Sequence, residues 1–131
     1  MVNKEDELCY AVIEDDPDLQ HLIQLKLNVD PRLKFAGAAT NADDAIELVR
    51  STNCKLLILI LDHFIEGKIM GLPAAPLLKT ADPGIKIILF TSHNLAIEAG
   101  REPAIDAYLQ KTDLKKVLPT VQRLLGLDPH E

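Results

Sequence analysis

The sequence predicts a doubly wound α/β fold, in which a parallel sheet carries helices on both of its faces. Three observations lead to this prediction. Apolar segments of strand length alternate with helical patterns five times along the chain. The third segment, KLLILIL at 55–61, is apolar after its lysine, as expected for a central strand covered on both faces. Leu114 to Leu125 carries apolar residues at the spacing of a last amphipathic helix.

Each element has its own signal. Asp16-Pro17 predicts a helix cap followed by proline in the first turn, and the segment 40–44 (TNADD) predicts a second cap. A loop is predicted from Asp62 to Gly71, with Pro73 near the start of a short helix. Another short helix is predicted around 95–99. The predicted strands are 8–13, 33–39, 55–61, 85–90 and 107–110.

Right-handed crossovers restrict how such elements connect. They favour a flavodoxin-like (βα)5 arrangement with strand order 2-1-3-4-5. We expect one domain over residues 1–131, with no output domain.

Composition limits the function classes. The chain has 131 residues, of which 47% are hydrophobic, and its net charge of −6 disfavours direct binding to nucleic acid. No apolar segment is long enough to span a membrane, and the charged start is unlike a signal peptide, so we expect a cytoplasmic protein.

Cys9 and Cys54 could form a disulfide, but both lie beside apolar strand-like segments. We therefore expect two buried reduced thiols.

Chemically active residues stand where four of the predicted strands end, at the edge where such sheets bind ligands. They are Glu14 and Asp15 after the first strand, Asp62 after the third, Thr91 after the fourth, and Tyr108 and Lys111 at the fifth. Crowded carboxylates repel one another by roughly 4 kcal/mol at 4 Å for an effective dielectric near 20. A hard cation such as Mg²⁺ would offset this repulsion, and a hydroxyl and an ammonium beside it suit phosphoryl oxygens.

Taken singly, these residues have ordinary explanations. Glu14 and Asp15 could be solvated loop acids, Thr91 a helix cap, Lys111 a surface lysine and Tyr108 a half-buried strand residue. Their joint placement on adjacent strand ends favours a functional site.

The sequence resembles a response-regulator receiver domain, a CheY-like module of two-component signalling, from about Leu8 to Leu125. The matching motifs are AVIEDD, LLILILD, IILFTS and AYLQK. The resemblance implies that Asp62 accepts a phosphoryl group, and that Glu14, Asp15, Asp62 and the carbonyl of Phe64 bind Mg²⁺. It also implies that Thr91 and Lys111 bind phosphoryl oxygens.

The resemblance further implies that Tyr108 is an aromatic switch. A sensor histidine kinase or a histidine phosphotransfer protein would donate the phosphoryl group in a phosphorelay. The domain would act on a downstream protein target, with a possible homodimer and no membrane or nucleic-acid partner. It would be a phosphoprotein switch, with possible autodephosphorylation, and not a turnover enzyme.

The sequence departs from the family pattern in two segments. Glu66 stands where proline is usual in a loop that is slightly long, and Thr112 replaces a common proline. The segment from Thr91 to Lys111 is short and contains Pro103, which predicts a short or distorted fourth helix. These departures motivate a second hypothesis, an interaction module acting without phosphorylation. A third and more distant one is a small hydrolase with an aspartate nucleophile, but Phe64 stands where its second carboxylate would be expected.

Overall fold

A computed structural model describes residues 6–129. The strands are β1 (Leu8–Ile13), β2 (Leu33–Ala39), β3 (Leu56–Leu61), β4 (Lys86–Thr91) and β5 (Ala107–Gln110). The helices are α1 (Pro17–Leu27), α2 (Ala42–Ser51), α3 (Gly71–Ala81), α4 (Ala96–Gly100) and α5 (Val117–Leu125), with a 3-10 helix at Lys111–Lys116. All strand pairs are parallel and the order is β2-β1-β3-β4-β5, which confirms the predicted fold class.

The sheet separates two apolar layers. Alternate residues of β1 point to opposite faces, so that Ala11 and Ile13 contact the α2 and α3 layer while Tyr10 and Val12 contact the α1 and α5 layer. β3 is buried on both faces, as its apolar sequence predicts. The carboxyl ends of the central strands are therefore held by a packed core on either side.

Two predicted caps are present. Asp16 accepts a hydrogen bond from the Asp18 amide at 3.0 Å, with Pro17 as the first residue of α1. Asn41 accepts one from the Asp44 amide at 2.8 Å and starts α2. These caps fix where the chain turns after β1 and β2.

Other details differ from the sequence-based expectation. The third helix has eleven residues and is not short. The predicted last helix divides into the end of a 3-10 helix and α5, and the 3-10 helix itself is kinked at Asp113 (φ −100, ψ 32). Amphipathic spacing cannot distinguish these two helix types over one turn. The fourth helix is short, as predicted, with five residues.

The expectation of two buried reduced thiols is wrong. Cys9 and Cys54 are joined in a disulfide, and their Cα atoms lie 6.2 Å apart. The cause is topological, because Cys9 lies at the start of β1 and Cys54 precedes β3, the neighbouring strand. Parallel pairing brings both residues to the same end of the sheet, within the reach of a disulfide. Cys9 is buried, whereas Cys54 is only partly buried.

Candidate functional site

Two buried carboxylates meet at the carboxyl ends of β1 and β3. Glu14 is 2% exposed and Asp62 is 4% exposed. Backbone hydrogen bonds extend the sheet to both residues: the Glu14 amide donates to the Ala39 carbonyl and the Asp62 amide to the Ile13 carbonyl, each at 2.9 Å. Their side chains are therefore presented from rigid backbone.

Asp15 completes an acidic cluster. It is exposed, and it offers a carboxylate oxygen that lies within 4.8 Å of oxygens from Glu14 and Asp62. Three carboxylates at this spacing form the hard, oxygen-only ligand set that Mg²⁺ prefers. The donor chemistry of this edge fits a divalent cation.

Lys111 lies between the two buried acids. Its Nζ atom is 2.8 Å from Glu14 Oε1 and 2.9 Å from Asp62 Oδ2. The contact with Asp62 has hydrogen-bond geometry, whereas the contact with Glu14 is close but not directional. Asp62 Oδ1 is buried and has no hydrogen-bond partner. A buried carboxylate oxygen without a partner is unfavourable by itself and is suited to a cation or a reacting group.

Burial and charge alter the protonation of this cluster. Burial raises the pKa of Glu14 to about 7; the close contact with Lys111 opposes this effect and the charge of Asp62 adds to it. Burial alone would lower the pKa of Lys111, but its close contacts with the carboxylates of Glu14 and Asp62 outweigh burial and raise it. Lys111 is therefore a cation at neutral pH, and Glu14 titrates near neutrality.

Thr91 and Tyr108 lie on the next two strands. Thr91 ends β4, is fully buried, and its hydroxyl accepts the His93 amide at 3.5 Å. The Tyr108 hydroxyl donates to the His93 carbonyl at 2.8 Å and accepts the Leu95 amide at 2.9 Å. The phenol thus connects β5 to the loop that follows Thr91.

The ring of Phe64 contacts the rings of two histidines. The ring centroids of Phe64 and His93 are 4.4 Å apart, and those of Phe64 and His63 are 4.8 Å apart with edge-on geometry. Phe64 nevertheless remains 37% exposed, so part of this aromatic group faces solvent.

The start of α3 is attached directly to the residues after β3, which sequence reasoning missed. Met70 provides no side-chain cap for α3. The Leu72 amide instead donates to His63 Nδ1 at 3.2 Å, and the Gly71 amide donates to the His63 carbonyl at 2.8 Å. The glycine at the junction of loop and helix was the available signal, because such positions often mark a close backbone approach.

Comparison with known proteins defines the class. The family model described as the response regulator receiver domain matches residues 11–122. The chain therefore belongs to the response-regulator receiver domain family of two-component signalling. Receiver domains are signalling modules that interact with histidine kinases and downstream effectors, and they typically bind Mg²⁺ at an acidic pocket. None of the curated proteins matches the sequence significantly.

Solved structures agree on the fold. The response regulator domain of Thermotoga maritima CheB aligns with a TM-score of 0.77 at 16% identity, covering 94% of this chain and 99% of that chain. A LuxR-family response regulator from Aurantimonas sp. SI85-9A1 gives a TM-score of 0.78 at 20% identity, covering 92% and 86%. The isolated REC domain of Salmonella enterica serovar Typhimurium RcsB, solved with the phosphomimetic BeF3-, gives 0.73 at 21% identity, covering 90% of each chain.

Within residues 6–129, no helix combines the length and the apolar character needed to cross a bilayer.

Proposed function

We propose that Asp62 accepts a phosphoryl group in a Mg²⁺-dependent reaction, and that this modification switches a protein-interaction face. One observation carries the proposal most directly. Lys111 fixes one oxygen of the buried Asp62 carboxylate, while the other oxygen, Oδ1, has no partner. The carboxylate is thereby oriented with one oxygen available as a nucleophile.

The donor in this proposal is a phosphohistidine of a sensor histidine kinase or of a histidine phosphotransfer protein. Asp62 Oδ1 forms a bond to phosphorus, the phosphorus–nitrogen bond breaks, and the released imidazole nitrogen takes up a proton. Later attack by water on phosphorus would return the carboxylate and inorganic phosphate. The protein's contribution is positioning and charge stabilisation.

Glu14, Asp15, Asp62 and the backbone carbonyl of Phe64 would hold Mg²⁺. When bound, the cation neutralises charge on the phosphoryl oxygens. Lys111 is already placed beside Asp62 and remains protonated, so it can transfer its hydrogen bond to a phosphoryl oxygen. Thr91 supplies a buried hydroxyl from the neighbouring strand as a second donor.

The output change would involve Thr91 and Tyr108. Movement of the Thr91 hydroxyl toward the phosphoryl group would weaken its contact with the His93 amide. The same loop is bound by the Tyr108 hydroxyl through His93 and Leu95, so a shift of the loop changes the position of the phenol. A protein target, or a second copy of the chain, would bind the altered face formed by α4 and β5.

An interaction module acting without phosphorylation is the second candidate. The short α4 and the two hydrogen bonds of Tyr108 favour it, because the Tyr108 hydroxyl is bound to the loop before α4 without any modification. The two candidates differ in their response to phosphate analogues.

Acetyl phosphate with Mg²⁺ tests the proposal. Intact-mass measurement should detect one labile phosphoryl group in the wild type and none in Asp62→Asn. Because some receivers resist small donors, beryllofluoride binding is followed in parallel by amide shifts. Absence of both responses would favour the second candidate.

A further inference from the structure

The Cys9–Cys54 disulfide lies at the end of the sheet opposite the acidic cluster. Cys9 is the second residue of β1, whereas Glu14 follows the last residue of that strand. Cys54 precedes β3, and the adjacent Lys55 amide donates to the Glu7 carbonyl at 2.9 Å. The disulfide therefore joins the amino ends of the two strands whose carboxyl ends carry Glu14 and Asp62.

The two cysteines differ in their exposure to solvent. Cys9 is 2% exposed within the apolar layer of α2 and α3, whereas Cys54 is only partly buried. A cavity of about 280 Å³ opens on the disulfide, and its walls include Lys34, Leu48 and Asn53. A small thiol can enter a cavity of this size, and Lys34 and Glu7 give its lining one charge of each sign, so that a zwitterionic thiol would find a partner for either charge.

The chain does not depend on this crosslink to build a core. Both faces of the sheet are packed, and β1 and β3 are buried along nearly their whole lengths. Domains that need disulfides to fold are typically much smaller. The fold should therefore persist when the disulfide is opened, which is the condition for a reversible modification.

We propose that Cys9–Cys54 is a reversible thiol-exchange site for a low-molecular-weight thiol, and that exchange occurs at Cys54. A small thiolate attacks Cys54 Sγ, the protein sulfur–sulfur bond breaks, and Cys9 leaves as a thiolate that takes up a proton. A second small thiolate then releases Cys54 by forming a small-molecule disulfide. Two small thiols are oxidised and the protein disulfide is reduced to two thiols, so atoms and electrons balance.

The first test uses the folded wild-type protein equilibrated with glutathione, either mainly oxidised or mainly reduced, and then alkylated in denaturant so that the buried Cys9 can also react. The expected result is no alkylation in the oxidised mixture, two alkylations in the reduced mixture, and a native circular dichroism spectrum in both. The melting temperature should fall on reduction by on the order of 10 °C. Two free thiols in the oxidised mixture, or a disulfide that opens only after denaturation, would overturn the proposal.

The second test locates the exchanging sulfur. Cys9→Ala, treated with oxidised glutathione, should take up one glutathione on Cys54, whereas Cys54→Ser should take up none. If Cys9→Ala does not fold, the order of alkylation in partially reduced wild type replaces it, and Cys54 should react first. An adduct on Cys9 in Cys54→Ser, or earlier alkylation of Cys9, would contradict exchange at Cys54.

Discussion

Gly71 lies so close to Asp62 that a Cβ atom at position 71 would come within 2.0 Å of the Asp62 carbonyl oxygen. The same Cβ atom would lie 2.8 Å from the Cα atom of His63. These neighbours are backbone atoms and cannot rotate away. The first turn of α3 can therefore contact the residue proposed as phosphoacceptor only because position 71 has no side chain.

Gly71→Ala should accordingly destabilise the protein by roughly 2–3 kcal/mol, because α3 or the Asp62 backbone must move. Urea denaturation measures this change. Gly100→Ala is the matched control, since a Cβ atom there meets nothing within 4 Å, and it should leave stability unchanged or raise it by up to about 1 kcal/mol. Equal changes in stability for the two substitutions would mean that the close approach of Gly71 to the Asp62 backbone does not exclude a side chain at position 71.

Tyr108→Phe should loosen the loop between β4 and α4. The substitution keeps the ring but removes the hydroxyl that binds the His93 carbonyl and the Leu95 amide. The expected loss of stability is about 1 kcal/mol, with faster hydrogen exchange over residues 92–100. Tyr10→Phe is a useful comparison, because it removes a hydroxyl bonded to Asn28 and should leave exchange over 92–100 unchanged. Unaltered exchange in Tyr108→Phe would argue against Tyr108 as the residue that holds this loop.

Beryllofluoride should increase protection over residues 92–110 if Thr91 and Tyr108 respond to a phosphoryl group together. The gain should shrink in Thr91→Ala, because the buried hydroxyl that would move toward the phosphoryl group and so pass the change to the loop is gone. Hydrogen exchange with and without the analogue measures both effects. Equal protection with and without beryllofluoride would mean that the β4–α4 loop takes no part in the proposed switch.

The raised pKa of Glu14 predicts pH-dependent stability and metal affinity. Its value in the folded protein is about 7 against 4.5 for the free side chain, so folding favours the protonated form. The contribution to stability is fully present below pH 4.5 and is lost as the pH rises through about 7 in metal-free protein. Mg²⁺ requires the carboxylate, so its affinity should increase over the same interval.

NMR titrations with Mg²⁺ at about pH 6 and about pH 8 test this dependence. Amide shifts near Glu14, Asp15 and Asp62 should saturate at lower metal concentration at the higher pH. Glu14→Gln should reduce the difference, and Asp15→Ala should abolish the response at both values. A wild type that does not respond to millimolar Mg²⁺ would contradict the metal site.

The environment of Asp30 predicts a second pH dependence of stability, independent of that of Glu14. This fully buried carboxylate accepts hydrogen bonds from Arg32 Nε at 2.9 Å, Arg32 Nη2 at 2.7 Å and Gln122 Nε2 at 3.1 Å. The Arg32 guanidinium holds the pKa of Asp30 well below its usual range. Its contribution to stability is therefore present above pH 3.8 and is lost as the pH falls below that value.

Asp30→Asn should destabilise the protein by roughly 2–4 kcal/mol at neutral pH, and the difference from wild type should shrink in acid. Denaturation at several pH values measures it. Glu47→Gln makes the same chemical change at an exposed helix position and should have little effect. If the loss of stability in Asp30→Asn did not change with pH, its cause would be altered packing and not the loss of the charge.

The sequence predicted the sheet order because apolar strands and amphipathic helices report directly which faces are buried. Strand ends also indicated the placement of Glu14, Asp62 and Lys111, since parallel strands end at one edge. It did not indicate that Gly71 touches the backbone of Asp62 or that His63 caps α3, because both contacts depend on the path of an irregular loop. The disulfide was missed although the predicted order already made the strands of Cys9 and Cys54 neighbours.

The central claim is that Asp62 is the residue that becomes phosphorylated. Acyl phosphates are reduced by borohydride, so protein treated with acetyl phosphate and Mg²⁺ can be reduced, digested and sequenced by mass spectrometry. We predict homoserine at position 62 alone. Its yield should depend on Mg²⁺ and should be much lower in Lys111→Ala. Homoserine at another aspartate, or labelling that survives Asp62→Asn, would contradict the account.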